Sequence, residues 1–160
     1  MRGDSLVNPR HWLMKSEPET FGLDHLAKMP KRTTMWDGVR NYQARNMMRD
    51  DMKRGDLVLF YHSNCAEPGV VGLCEIVREA YPDPSAANPA SPYYDPKSDP
   101  ANPRWVVVDV RLKRRLKRTI TLTEMKAAPE LANMPLVRRG NRLSVMPVTP
   151  AEWSFILSLE

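Results

Sequence analysis

Polar and aromatic side chains gather in five separate places along this chain. Lys15, Ser16 and Glu17 close one short apolar run, and Trp36, Asp37, Gly38, Arg40 and Asn41 follow in a loop. Tyr61, His62 and Ser63 end a second run, Tyr81 and Asp83 open a proline-rich stretch, and Arg142 and Ser144 stand near the end. Such a set suits the reading of a planar heterocycle: a ring stacks on Trp36 while Ser16, Asn41, Ser63 and Asp83 bond its polar edge. Base–aromatic stacking contributes roughly 1–3 kcal/mol per base, enough to hold an extruded base in a pocket. Each residue also has a plainer use, with Trp36 as a core anchor, Asp37-Gly38 as a simple turn and Arg142 as a partner for Glu75.

Other chemistries fit less well. His62, Cys65 and Cys74 match no common zinc spacing, and Cys74 reads as a small core residue in mid-strand. No metal and no cofactor are therefore expected. The three histidines lie in no nucleophile–base motif, and G-x-S-x-G, Gly-rich phosphate-loop and HExxH patterns do not occur. An ordinary enzyme is not signalled.

Charge points to a polyanion. The net charge is +5, yet residues 104–118 (RWVVVDVRLKRRLKR) hold seven basic residues against one acidic. Arg111, Lys113, Arg114, Arg115, Lys117 and Arg118 form a candidate stripe for phosphates, joined by Arg40 and Arg142. A solvated strand face is the alternative.

The elements that must position these residues follow from periodicity. Residues 11–15 alternate as a short strand, and 22–29 have helical spacing up to Pro30. Asn41 can cap a helix whose Ala44, Met47, Met48 and Met52 share a face. Residues 57–61 and 70–77 are apolar on both faces and read as a hairpin. Residues 82–103 carry seven of the fifteen prolines, so they form neither a helix nor an interior strand. Val106, Val108, Val110 and Leu112 alternate with the period of a strand. Capping boxes at Thr121/Glu124 and Thr149/Glu152 start two late helices on either side of a strand over 142–148. Five strands and about four short helices predict a small, partly closed barrel. The expected layout is a disordered lead-in at 1–10 and one domain over 11–160, with a long loop at 82–103. The chain lacks an apolar run near 18 residues and a secretory signal, so no membrane contact is expected. With two cysteines, reduced thiols in a cytoplasm are the expectation.

Six segments resemble an EVE domain in order and spacing: WLMKSEP (12–18), WDGVRNYQARN (36–46), GDLVLFYHSN (55–64), GVVGLCEIV (69–77), YPD (81–83) and LVRRGNRLSVMPVT (136–149). The resemblance covers nearly the whole chain. It implies an α+β fold, a PUA-like five- to six-stranded pseudobarrel flanked by short helices, related to YTH and ASCH domains. It also implies a non-catalytic module that binds nucleic acid through a modified base, with modified cytosine in DNA as the leading ligand. Lys15-Ser16 resembles the Lys-Ser step lining the YTH pocket, Trp36 resembles the first tryptophan of that cage, and Gly72-Leu73-Cys74-Glu75 echoes a shared Gly-x-x-Glu strand. A second cage tryptophan is not evident, because Trp12, Trp105 and Trp153 sit in core-like runs.

The expected site therefore comprises Lys15, Ser16, Trp36, Arg40, Asn41, Tyr61, His62, Ser63, Tyr81, Asp83, Arg142 and Ser144. The expected state is a monomer in the cytoplasm, or the nucleus of a eukaryotic cell. Two rival readings stay open. One is an ASCH-like hydrolase of modified nucleosides using Lys15, and the other is a sensor of a free heterocycle.

Overall fold

The protein was analysed as a computed structural model that describes residues 9–99 and 101–160. The first eight residues of the expected lead-in lie outside the described residues. Six strands form one mixed sheet: β1 (His11–Ser16), β2 (Thr33–Met35), β3 (Leu57–His62), β4 (Gly69–Pro82), β5 (Val106–Thr121) and β6 (Val145–Val148). Their spatial order is β2-β5-β4-β3-β1-β6. β1 and β3 run parallel and every other neighbouring pair is antiparallel. The edge strands β2 and β6 are not paired to each other, so the sheet stays open.

The apolar runs of β1 and β3 are explained by burial on both faces. Trp12 and Met14 point to one core with Val58 and Phe60, while Leu13 points to the other with Leu59 and Tyr61. The first core is covered by α1 (Pro18–Phe21), α2 (Leu23–Lys28) and α3 (Tyr42–Asn46), the last running on into a π-type turn over Met47–Asp51. The second is covered by α4 (Leu122–Lys126), α5 (Pro150–Ser158) and the short turns between them.

β5 extends well beyond the alternating run. A register shift opposite Leu73/Cys74 swaps its faces: Val106, Val108, Val110 and Leu112 enter the first core, whereas Leu116 and Ile120 enter the second. A bulge adds a residue and reverses every following side chain. β6 begins at Val145, later than expected, so Arg142 and Ser144 precede the strand.

Local signals act as their residue types dictate. Asn41 Oδ1 accepts from Ala44 N at 2.9 Å, and the Thr121/Glu124 and Thr149/Glu152 boxes both close. Fully buried Asp56 accepts from Trp12 Nε1 at 2.9 Å and Lys53 N at 2.9 Å, which ties the start of β3 to β1. Cys74 is fully buried, which pushes its thiol up to about 12.

Candidate functional site

A cavity of about 360 Å³ opens between the end of β1, helix α1 and the loop after β2. That volume falls within the range of small-ligand pockets. Four of the expected residues line it: Lys15, Ser16, Trp36 and Ser144. The β-ladder brings three of them together, since Lys15 N donates to Ser144 O at 2.8 Å beyond the last β1–β6 pair. Trp36 arrives from the other edge of the sheet, where its amide donates to Val108 O at 2.8 Å.

Trp36 is both core residue and wall. It is 7 % exposed, and its ring meets Phe60 edge-on at 5.3 Å while bordering the cavity. Ser16 Oγ donates to Phe21 O at 2.6 Å, which fixes that hydroxyl and leaves its lone pairs as acceptors. Lys15 is half-buried, and burial lowers the pKa of its amine.

The remaining wall was not legible beforehand. Tyr93, from the proline-rich segment, lines the cavity with Phe21 of α1. Its ring lies against Gly38, where a Cβ would come within 2.6 Å of it, and Gly38 has φ +79°. Glycine is needed there twice, for the left-handed backbone and for the close ring. The one signal in the sequence was an aromatic pair, Tyr93-Tyr94, in a stretch otherwise built of small and polar residues.

This proline-rich segment is anchored. Asp83, 4 % exposed, accepts from Gly38 N at 3.1 Å, Arg40 Nη1 at 3.0 Å and Ser85 N at 2.7 Å. Arg40 also donates to Tyr93 O through Nη2 at 2.6 Å, and Ser85 Oγ donates to Asp37 Oδ2 at 2.6 Å. Trp105 Nε1 donates to Asp95 Oδ2 at 2.8 Å, which closes the far end. Arg40 and Asp83 thus brace the pocket wall instead of lining the cavity.

The other expected site residues lie elsewhere. Asn41 is the α3 cap. Tyr61 belongs to the second core, and burial raises its hydroxyl to about 12. His62 Nε2 accepts from Leu23 N at 3.1 Å, and burial lowers its pKa against the charge of Asp24. Ser63 donates its amide to Ser16 O at 3.0 Å. Tyr81 donates to Asp109 Oδ1 at 2.5 Å under the guanidinium of Arg78, and burial chiefly pushes its hydroxyl up to about 12. Arg142 is exposed before β6.

In the basic stripe, each of the four arginines meets a carboxylate. Arg111 pairs with Glu75, the residue Arg142 was free to take, and Arg114 pairs with Glu160 at 2.5 Å. Arg115 pairs with Asp24 at 2.7 Å and Arg118 with Glu124 at 2.6 Å. Lys113 and Lys117 make no ion pair among the described residues.

The model of the EVE domain matches residues 10–159. The chain belongs to the EVE domain family. Human thymocyte nuclear protein 1 is 49 % identical over 94 % of this chain and 73 % of its own length. A crystal structure of human THYN1 protein in complex with 5-methylcytosine-containing DNA superposes with a TM-score of 0.89 at 48 % identity, covering 94 % of this chain and 96 % of that one. A Pseudomonas syringae protein gives a TM-score of 0.89 at 46 % identity, over 93 % and 98 % of the two chains. A YTH domain of Zygosaccharomyces rouxii shares the fold, at a TM-score of 0.56 and 16 % identity over 96 % of this chain and 87 % of that one. The expected α+β, PUA-like fold is thereby established. Among the described residues no helix is long and apolar enough to cross a membrane.

Proposed function

We propose that this EVE domain is a non-catalytic reader that holds a modified base, modified cytosine in DNA, in the Trp36 cavity. The observation carrying the reading is the cavity itself, walled by Trp36 and Tyr93 and edged by Lys15, Ser16 and Ser144. The aromatic walls suit the faces of a flat ring. The hydroxyls and amine suit its polar edge, which a stacked base presents to a pocket wall. The human THYN1 protein, similar over nearly the whole chain, is complexed with 5-methylcytosine-containing DNA, which supports the choice of ligand.

In this reading Trp36 stacks the base, Ser16, Ser144 and Lys15 contact its edge, and Arg40 and Asp83 hold the wall. Asn41, His62 and Ser63 act in the scaffold. The base leaves the duplex to enter, at a cost of a few kcal/mol that the stacking offsets. In this reading the module acts as a monomer. It works where nucleic acid is, in a cytoplasm or a eukaryotic nucleus.

The test is a binding titration of matched oligonucleotides with and without one 5-methylcytosine, using the wild type and Trp36→Phe. The wild type prefers the modified strand, and Trp36→Phe, which keeps an aromatic ring against Phe60, narrows that preference. Equal affinity of the wild type for both strands would overturn the reading.

A further inference from the structure

A second cavity, of about 460 Å³, adjoins the first through a shared residue, Lys15. Its remaining cations are Lys126 at the end of α4 and Arg138 and Arg139 in the turn before β6, and no carboxylate lines it. The first cavity, by contrast, includes Glu17 and Asp37. Four cations around one concavity, with no acid to balance them, focus a positive potential there.

Two further observations point to an anion. Lys126, Arg138 and Arg139 are exposed and make no ion pair among the described residues, whereas every arginine of the 111–118 stripe already meets a carboxylate. Asn141, which lines the cavity, has a buried amide Nδ2 without a hydrogen-bond partner. Its Oδ1 accepts from Leu143 N at 3.1 Å, so turning the amide over would set donor against donor. A buried donor left unpaired is costly, and a shift of the 138–141 turn that exposed it to the cavity would let an anionic oxygen relieve that cost. Gly140, at φ +80° with open space around it, makes the turn that brings Arg138, Arg139 and Asn141 to one rim.

We infer that this second cavity binds a backbone phosphate of the same strand whose base enters the Trp36 cavity. The inference rests on the reader function proposed above and replaces the stripe as the phosphate surface. Lys15 stands between the two sites, so one residue spans the step from base to phosphate. Phosphate contacts of this kind set position and carry no preference for the base.

The experiment measures affinity for the 5-methylcytosine oligonucleotide and its unmodified counterpart across a salt series. It compares the wild type, R138A/R139A, R138K/R139K and R114A/R115A. R138A/R139A should weaken both oligonucleotides about tenfold or more and leave their ratio unchanged. It should also lower the slope of log affinity against log salt by roughly 0.7–0.9, because one phosphate contact contributes roughly 0.9 on duplex and 0.7 on single strands. R138K/R139K should recover most of the affinity, and R114A/R115A should leave the slope alone.

An unchanged slope in R138A/R139A, or a slope lost in R114A/R115A, overturns the inference. So does a lower affinity of R138A/R139A for 5-methyldeoxycytidine nucleoside, which has no phosphate. Inorganic phosphate binding that R138A/R139A abolishes, with oligonucleotide binding untouched, overturns it in favour of a free-anion site. Failure of the reader function is separate: the wild type would then show no preference, while the R138A/R139A slope on plain oligonucleotide still decides the phosphate site.

Discussion

Arg40 and Asp83 form an ion pair at 3.0 Å that joins the Trp36 loop to the proline-rich segment. Asp83 is 0 % exposed at its side chain and Arg40 is 24 % exposed, so the pair sits at the border of the interior. Asp83→Ala would leave the guanidinium and the amides of Gly38 and Ser85 without this acceptor. A fully buried pair broken on one side costs about 3–5 kcal/mol, and the partial exposure of Arg40 lowers that to roughly 2–4 kcal/mol. Asp83→Asn, which retains one acceptor, should cost less. Urea unfolding checks the order, and the affinity for modified DNA should fall in parallel, because the cavity wall moves with the loop.

Gly38→Ala tests the strap formed by Tyr93. Alanine at φ +79° is strained, and its Cβ would stand 2.6 Å from the Tyr93 ring. We expect a destabilisation of about 1–3 kcal/mol together with loss of the base preference. G38A/Y93A should regain the steric part of that loss, leaving the backbone strain. A double-mutant cycle in thermal unfolding would show the coupling, and strictly additive losses would rule out the close packing of ring on glycine.

Much of the scaffold was legible because local signals agree with the fold. Asn41, Thr121 and Thr149 cap helices as their types and spacing require, and the two-faced apolar runs at 57–61 and 70–77 became the inner strands β3 and β4. What failed to show was non-local. β2 is three residues long and takes its identity from pairing Thr33–Met35 with β5. The second half of β5 changes face at a register shift, so its alternation breaks where the charges begin. The cavity followed the same rule. Lys15, Ser16, Trp36 and Ser144 could be named from their types at strand ends, in a loop and on the last strand, whereas Tyr93 reaches the cavity only because Arg40 and Gly38 hold it there. Asn41 and Asp83 looked like ligand contacts because a polar side chain binding backbone and one binding a base look alike in sequence.

Acid should uncover the Arg118–Glu124 pair. The Arg118 guanidinium, helped by Thr121, holds the Glu124 carboxyl at about 2, below its usual 4.5. A depressed carboxyl contributes stability that is present above about pH 4.5 and lost as pH falls through about 2. Glu124→Gln should therefore be less stable than the wild type at pH 7, with the difference shrinking between pH 4.5 and 2. A difference that stays constant over that window, measured by urea unfolding, would show that the carboxylate charge is not involved.

Lys15 is the residue where stability and binding should oppose each other. Burial lowers its pKa in the folded protein from 10.5. Below the folded pKa the amine is charged in both states, and the folded state bears the full desolvation cost. Between the folded pKa and 10.5 the unfolded chain binds more protons, so stability rises with pH. Lys15→Met, similar in length and uncharged, should melt higher than the wild type at pH 7, with the gain diminishing as pH approaches 10.5. The same change removes the cation shared by both cavities. A charged hydrogen bond contributes about 1.5–3 kcal/mol, so affinity for the modified oligonucleotide should drop roughly tenfold or more. A variant that is stabilised yet binds unchanged would place Lys15 outside the site. One that loses both stability and binding would make it part of the scaffold.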